Sequence, residues 1–189
     1  MFRIKDNVKN EIIVKNSRFI GYLYYVESIN EIDNILEEIR KEHKDATHIC
    51  YAYRLETREK CIDDGEPSGT AGAPIMEVLK KNDLTNVLAV VVRYFGGIKL
   101  GAGGLIRAYS KCIRETLNNT ELENIVLYNY YELETDYDNQ KLLNTLTNNL
   151  EITNKEFSVT IKYSIKIQRD IDSIEKLFKD TNIKIKKLD

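Results

Sequence analysis

The segment from Val87 to Gly104, V-L-A-V-V-V-R-Y-F followed by G-G-I-K-L-G-A-G-G, shows most directly how this chain folds. Its first nine residues form a nearly continuous apolar run, which predicts a strand that is buried on both faces. From Ala102 onward the apolar residues recur at i, i+3, i+4 and i+7, which predicts a helix from Ala102 to Asn118. The glycines between these two elements predict a tight connection, because glycine tolerates positive φ and close backbone contacts.

The residues upstream of this segment predict the other elements of one α/β layer pair. β-branched and aromatic residues predict two strands, at Glu11–Val14 and Phe19–Val26. A helix follows, because Ser28 begins a capping box and the apolar residues after it have helical spacing. His48–Leu55 alternates as a strand does, and Pro74–Lys81 has the proline that suits the first turn of a short helix.

The pattern changes from Ile125 onward, where the order of elements becomes β-α-β-β-α-β, as in ferredoxin-like domains. The predicted strands are a segment ending near Thr135, a short one at Leu150–Thr153, a longer one at Phe157–Ile167 and a last one at Ile183–Leu188. The second of the two helices is predicted from Ile171, Ile174, Leu177 and Phe178. We therefore predict an α+β chain of two α/β sandwich domains, residues 1–120 and 125–189, with the polar segment Asn118–Asn124 as their linker.

Composition limits the classes of function. The chain of 189 residues has three cysteines without C-x-x-C spacing, so neither a disulfide framework nor a zinc site is predicted. No signal peptide is recognisable and no apolar run is long enough to span a bilayer, which predicts a cytoplasmic protein without a membrane partner. The net charge is −2. Each half of the chain is close to neutral, which argues against a strongly electrostatic nucleic-acid binder and leaves room only for a local basic patch.

The second glycine run has the features of an anion site. It leads from a strand into a helix N-terminus, where free backbone N–H groups and the positive end of the helix dipole favour phosphate or carboxylate. It is neither a Walker A loop nor a complete G-x-G-x-x-G motif. A purely structural role, in which the glycines only let a strand turn sharply against a helix, is the alternative. The predicted anion- or nucleic-acid-binding residues are Arg93, Gly96, Gly97, Lys99, Gly101, Gly103, Gly104 and Arg107.

The first glycine run, D-D-G-E-P-S-G-T-A-G-A-P, follows the predicted His48 strand and carries three carboxylates, Asp63, Asp64 and Glu66. Such a group could hold Mg²⁺, cap a helix or pair with the basic residues of the second run, and pairing is the interpretation we favour. His48 could act as a general base if a partner positions it, or it could be a hydrogen-bonded residue at a strand start. These four residues are weak catalytic candidates. No metal site and no cofactor are predicted beyond the Mg²⁺ alternative.

Four strings of the sequence resemble the YigZ/IMPACT family, and together they cover about the first two thirds of the chain. The remaining third is similar to the domain of unknown function that follows in bacterial members. The resemblance implies that the first domain has the fold of the second domain of a small-subunit ribosomal protein. It implies that the second is ferredoxin-like, as in the fifth domain of elongation factor G. The four strings are Ser17–Gly21, Ala46–Arg54, Asp63–Ile75 and Leu84–Tyr109.

The resemblance also implies a role near translation. Eukaryotic members carry an extra amino-terminal domain and act by binding the large activator of the initiation-factor-two kinase, whereas bacterial members have no settled biochemistry. We therefore expect a translation-associated regulatory protein that binds RNA, the ribosome, another phosphate-bearing partner or a translation-regulatory protein through the glycine-rich basic loop. The alternatives are a protein-interaction module without chemistry of its own, and a phosphoester or nucleotide enzyme that uses His48 and the acidic turn. No oligomeric state is predicted.

Overall fold

The computed structural model describes residues 1–126, 128–168 and 174–188. The chain divides into two compact units, Met1–Ile125 and Val126–Asp189, and each contains helices and antiparallel strands. The predicted mixed α+β class is therefore confirmed. Within the described residues no helix is both long enough and apolar enough to cross a membrane.

The first unit is built on a five-stranded antiparallel sheet with the strand order β2-β3-β6-β4-β5. In chain order, these strands are β2 (Val8–Val14), β3 (Ser17–Tyr25), β4 (His48–Arg54), β5 (Glu59–Ile62) and β6 (Val87–Tyr94). The helices are α1 (Ile29–Glu42), α2 (Gly72–Lys81) and α3 (Ala102–Leu117). Each predicted element of this unit is present, with ends that differ by a few residues.

The central strand β6 explains why its sequence is apolar throughout. Its alternate residues belong to two separate cores, with Ala89 and Val91 facing α2 and α3, and Val90 and Val92 facing α1. A strand with a core on each side has apolar residues at nearly every position, whereas a half-exposed strand alternates apolar and polar residues. The sheet is therefore covered by one helix on one face and by two on the other.

A second, two-stranded sheet was not predicted from the sequence. Its strands are β1 (Phe2–Ile4) and β7 (Leu122–Asn124), which pair antiparallel. The segment predicted as a linker thus ends in a strand of the first unit. The partner of β7 is β1, about 120 positions earlier in the chain, as in the pair Phe2 and Asn124. Patterns among neighbouring residues cannot predict a contact between residues so far apart in sequence.

The second unit has a four-stranded antiparallel sheet with the strand order β11-β8-β10-β9. The described elements follow the predicted order β-α-β-β-α-β, but Phe157 belongs to the third of these elements and not to the fourth. Ile174 and Phe178 of the last helix are buried, whereas Ile171 lies outside the described residues. The elements are β8 (Tyr128–Thr135), α4 (Gln140–Leu146), β9 (Glu151–Phe157), β10 (Ile161–Gln168), α5 (Ile174–Phe178) and β11 (Lys184–Leu188).

Candidate functional site

The two glycine runs meet at a cavity of about 460 Å³ in the first unit. The first run supplies Gly65–Pro67 to its wall, and the second supplies Lys99–Ala102. His48 and Arg93 line the same cavity because they are directly opposed residues on the paired strands β4 and β6. The structure thus brings together residues of both runs and the histidine strand.

A buried cluster of polar side chains lies beneath this cavity. Glu66 Oε1 accepts one hydrogen bond from Arg93 Nη1 at 2.5 Å and another from the Tyr109 hydroxyl at 2.7 Å. The Glu66 and Arg93 side chains are only 3% and 6% exposed, so their ion pair is almost fully removed from water. Removing one member would leave the other as an uncompensated buried charge, which makes this pair a strong structural constraint.

Aromatic rings hold the Arg93 guanidinium in place. Its central carbon lies 5.4 Å from the centre of the Phe19 ring and 5.5 Å from that of Phe95. These distances fall within the range of cation–π contacts. Arg93 Nε is buried and has no hydrogen-bond partner among the described residues. Arg93 is therefore a buried cation with one donor that has no partner among the described residues, and it lies within the predicted strand rather than in the glycine-rich loop.

His48 is oriented by the backbone of the acidic turn. Its Nδ1 lies 2.7 Å from the carbonyl oxygen of Asp64, and a carbonyl can only accept, so Nδ1 carries the proton and donates it. Nε2 then faces Glu66 Oε2 at 3.9 Å. This arrangement presents a fixed imidazole at the edge of the cavity, with a carboxylate beside it.

The three carboxylates of the acidic turn have three different partners. Asp63 accepts backbone N–H groups from Gly69, Ala71 and Gly72 at 2.8 to 3.0 Å. Burial acts to raise the pKa of this carboxyl, but the three N–H donors outweigh it and the pKa is lowered. Asp63 thereby fixes the start of α2, two residues before the predicted Pro74.

Neither of the other two carboxylates is free to form an open acidic cluster. Asp64 Oδ2 accepts the N–H of Ile49 at 2.7 Å. Glu66 alone pairs with a basic residue of the second run, so the favoured pairing interpretation holds for one carboxylate of three. In the part of the chain that the structure describes, no group of three or more His, Cys, Asp or Glu side chains is arranged to hold a metal ion.

The second glycine run serves close packing at one end and a helix start at the other. A Cβ on Gly96 would lie 2.1 Å from the backbone of Asn16, so the connection passes directly against the turn between β2 and β3. Gly101 has φ +70° and precedes α3, whose N-terminus has no side-chain cap. The first intrahelical bond joins Leu105 N–H to the Gly101 carbonyl at 3.0 Å. The N–H groups of 102–104, which include Gly103 and Gly104, consequently have no partner within the helix.

The predicted anion-binding residues are divided between two surfaces. Arg93, Lys99 and Gly101 line the cavity, whereas Gly104 and Arg107 line a smaller depression of about 250 Å³ with other residues. Gly96, Gly97 and Gly103 line neither. Lys15, Arg107 and Lys111 line this second depression, and Lys111 and Arg114 line another one farther along α3. We name these four cations the basic strip.

Sequence reasoning missed two members of the buried cluster. Tyr109 lies on the apolar stripe of α3, where it reads as a core residue, and burial raises the pKa of its hydroxyl above the usual range. Cys50 donates from Sγ to the Asp63 carbonyl at 2.9 Å, and burial raises the pKa of its thiol to about 12. Lys15, in the turn between β2 and β3, was missed for a different reason, because only the tertiary fold places it beside α3.

Comparison with known proteins places these features in a family. Residues 15–117 match the family model described as the Impact N-terminal domain, a range that contains the cavity and the basic strip. The chain belongs to the IMPACT family. The predicted resemblance is thereby confirmed.

The relatives of the chain include two bacterial family members. It is similar to the IMPACT family member YvyE of Bacillus subtilis, with 47% identity over 139 residues that cover 72% of this chain and 64% of YvyE. It is also similar to an IMPACT family member of Haemophilus influenzae, with 37% identity over 164 residues that cover 83% of this chain and 80% of that protein. The match thus spans less than two thirds of the length of YvyE.

A solved structure supports the fold over the whole length. The crystal structure of a hypothetical protein is similar to this chain with a TM-score of 0.66 and 25% identity, and the match covers 100% of this chain and 97% of that one.

Proposed function

We propose that this chain is a translation-associated regulatory protein that binds RNA, free or within the ribosome, through the basic strip beside its glycine-rich loop. Family membership supports the connection with translation, because the IMPACT resemblance implies it. In the second unit, the β-α-β-β-α-β order of elements and the strand order β11-β8-β10-β9 are those of a ferredoxin-like domain. They support the proposed similarity of this unit to the fifth domain of elongation factor G. Fold alone does not carry function, so the site has to carry the proposal.

The observation that carries it is the basic strip. Arg107, Lys111 and Arg114 follow one exposed face of α3 at i, i+4 and i+7, a length of about 10 Å along the helix axis. Lys15 extends the row from the neighbouring turn. Among the described residues only Lys111 has an acidic partner within 4 Å, Glu115 at 3.5 Å. In a chain with a net charge of −2, this is a local concentration of positive charge, in which three of the four cations have no acidic partner within 4 Å among the described residues.

The strip predicts a measurable salt dependence. Four phosphate contacts give a slope of log K against log salt of about −2.8 for a single strand and about −3.6 for a duplex. Affinity should therefore fall about 50- to 150-fold between about 50 and 200 mM salt. A neutral docking surface would show almost none of this loss.

The test is cosedimentation with ribosomes together with filter binding to RNA at both salt concentrations. The variant R107A/K111A/R114A should weaken binding and reduce the slope to about −0.7 for a single strand or about −0.9 for a duplex, the values for one remaining contact. The matched control is R40A/K41A/K44A, which removes the same charge near the end of α1, on the other face of the sheet. Absence of binding at low salt, or equal effects of the two variants, would contradict the proposal.

A protein-interaction module is the second candidate, and one observation favours it. Phe95, Ile98 and Ile106 are large apolar side chains on the same loop and helix, and they are 46%, 46% and 40% exposed. Large exposed apolar side chains that form a contiguous patch are typical of surfaces that dock another protein, and this candidate assumes that these three do so. If this candidate is right, the variant I98D should abolish partner binding in a pulldown, whereas the triple variant of the basic strip should leave it intact.

A further inference from the structure

The cavity between the glycine runs is a separate site from the basic strip, and its lining has the composition of a small-molecule pocket. Phe95, Leu100 and Leu105 give it apolar walls, and a few polar groups converge on it from other sides. Its volume of about 460 Å³ lies within the range of small-molecule sites, about 300 to 1,000 Å³.

One end of the cavity is built for an anion. Gly101 and Ala102 at the start of α3 line it, and the helix N-terminus has no side-chain cap to occupy its free N–H groups. Helix N-termini of this kind bind phosphate through backbone donors and the helix dipole. Lys99 lines the cavity beside them and adds a full positive charge.

The second, independent observation is the free donor on Arg93. Its side chain is more than nine-tenths buried and lines the cavity, yet Nε has no hydrogen-bond partner among the described residues. Buried polar atoms in folded proteins almost always have a partner. Glu66 accepts from Nη1 only, so the guanidinium keeps donor capacity that an acceptor on a bound molecule could use after a small adjustment of the side chain.

The charges of the lining decide the sign of the ligand. Arg93 and Lys99 are positive, Glu66 is negative and already paired, and the helix end adds a partial positive charge. The cavity, at about 460 Å³, is much larger than an inorganic ion. The partly exposed ring of Phe95 gives it a flat apolar surface.

We propose that this cavity binds a small organic phosphate, with the phosphoryl group at the N-terminus of α3 beside Lys99 and the organic body against Phe95. A phosphoryl group suits the site because it offers several oxygens, which the backbone at the start of α3 and the ammonium group of Lys99 can share. This inference goes beyond the proposed RNA binding and rests on other residues.

The experiment is calorimetric titration of the full chain with adenosine monophosphate, ribose 5-phosphate and inorganic phosphate. At least one organic phosphate should bind more tightly than inorganic phosphate. The variant Ala102→Asp should weaken that binding by about tenfold or more, because its carboxylate would occupy the helix N-terminus. An acidic residue in the first turn favours the helix dipole, so the unfolding midpoint should not fall.

Two further variants separate this site from the others. Lys99→Ala should weaken binding of the organic phosphate, whereas Lys44→Ala, an exposed lysine elsewhere, should not. Because Arg107 Nη1 lies close to Gly103 in the first turn of α3, the strip variant used here is K111A/R114A. It should keep organic phosphate binding even if it loses RNA, so the two proposals fail independently. Absence of binding at about 1 mM of all three probes would overturn the inference. Equal binding of inorganic phosphate, or no effect of Ala102→Asp, would overturn it as well.

Discussion

Replacement of Glu66 by Gln tests the buried ion pair beneath the cavity. Gln keeps the size of the side chain and an oxygen that can accept from Tyr109, so the principal loss is the negative charge opposite Arg93. Both side chains of the pair are at most 6% exposed, which places the substitution in the class that leaves a buried charge unpaired. Such changes cost about 3–5 kcal/mol of unfolding free energy. At about 2–4 °C per kcal/mol, the melting temperature should fall by about 6–20 °C.

The assay is urea unfolding followed by circular dichroism, with a double-mutant cycle. Arg93→Met should also destabilise the protein, but the double variant E66Q/R93M should cost less than the sum of the single changes, because neither charge is then stranded. We expect a coupling energy of at least about 1 kcal/mol. The exposed control Glu38→Gln should change stability by no more than about 0.5 kcal/mol. A cost below about 1 kcal/mol for E66Q, or additive effects, would refute the conclusion that the pair is desolvated.

Three further predictions concern the same unit. Gly96→Ala should lower the free energy of unfolding by about 3 kcal/mol or more, because the added Cβ would meet backbone that cannot move aside. Gly97→Ala should cost only about 1–2 kcal/mol, because there is open space around it and only its φ of +82° is unfavourable. Urea unfolding of the two variants measures the difference. Burial lowers the pKa of His43, so the folded state takes up a proton less readily than the unfolded state. Stability should therefore fall as the pH drops below about 6.5, and less so in His43→Gln, which urea midpoints at several pH values would show. Cys61 is exposed and should react quickly with a thiol reagent, whereas Cys50, with its pKa raised to about 12 by burial, should react only on unfolding.

Local patterns predicted most of the secondary structure, because helical and strand periodicity are properties of neighbouring residues. The apolar run of β6 and the apolar stripe of α3 are examples, and both elements end within a residue of the prediction. Contacts across long separations were missed. β7 pairs with β1 from the opposite end of the unit, and His43, in a polar stretch, is buried between the hydroxyls of Tyr22 and Tyr94 at 2.7 and 2.8 Å.

The sequence predicted the region in which the two glycine runs come together, but not the geometry of that region. Composition drew attention to the two glycine runs, and they do line one cavity. The apolar run predicted that Arg93 lies in a buried strand, but not that it pairs with Glu66, because that pairing depends on which face of β6 meets the acidic turn. The sequence also could not report that Arg107 and Lys99 line different surfaces, because helical phase relative to a loop is a tertiary property.

The bonding of Asp63 has a consequence for how a ligand would meet the cavity. One carboxylate holds three amide groups, at Gly69, Ala71 and Gly72, so the glycine-rich turn cannot open without exposing all of them and unwinding the first turn of α2. A segment whose composition suggests flexibility is thereby anchored as a rigid wall. Because that wall is already ordered, binding of a molecule in the cavity would cost little chain entropy. More of the favourable contact energy would then contribute to the binding free energy.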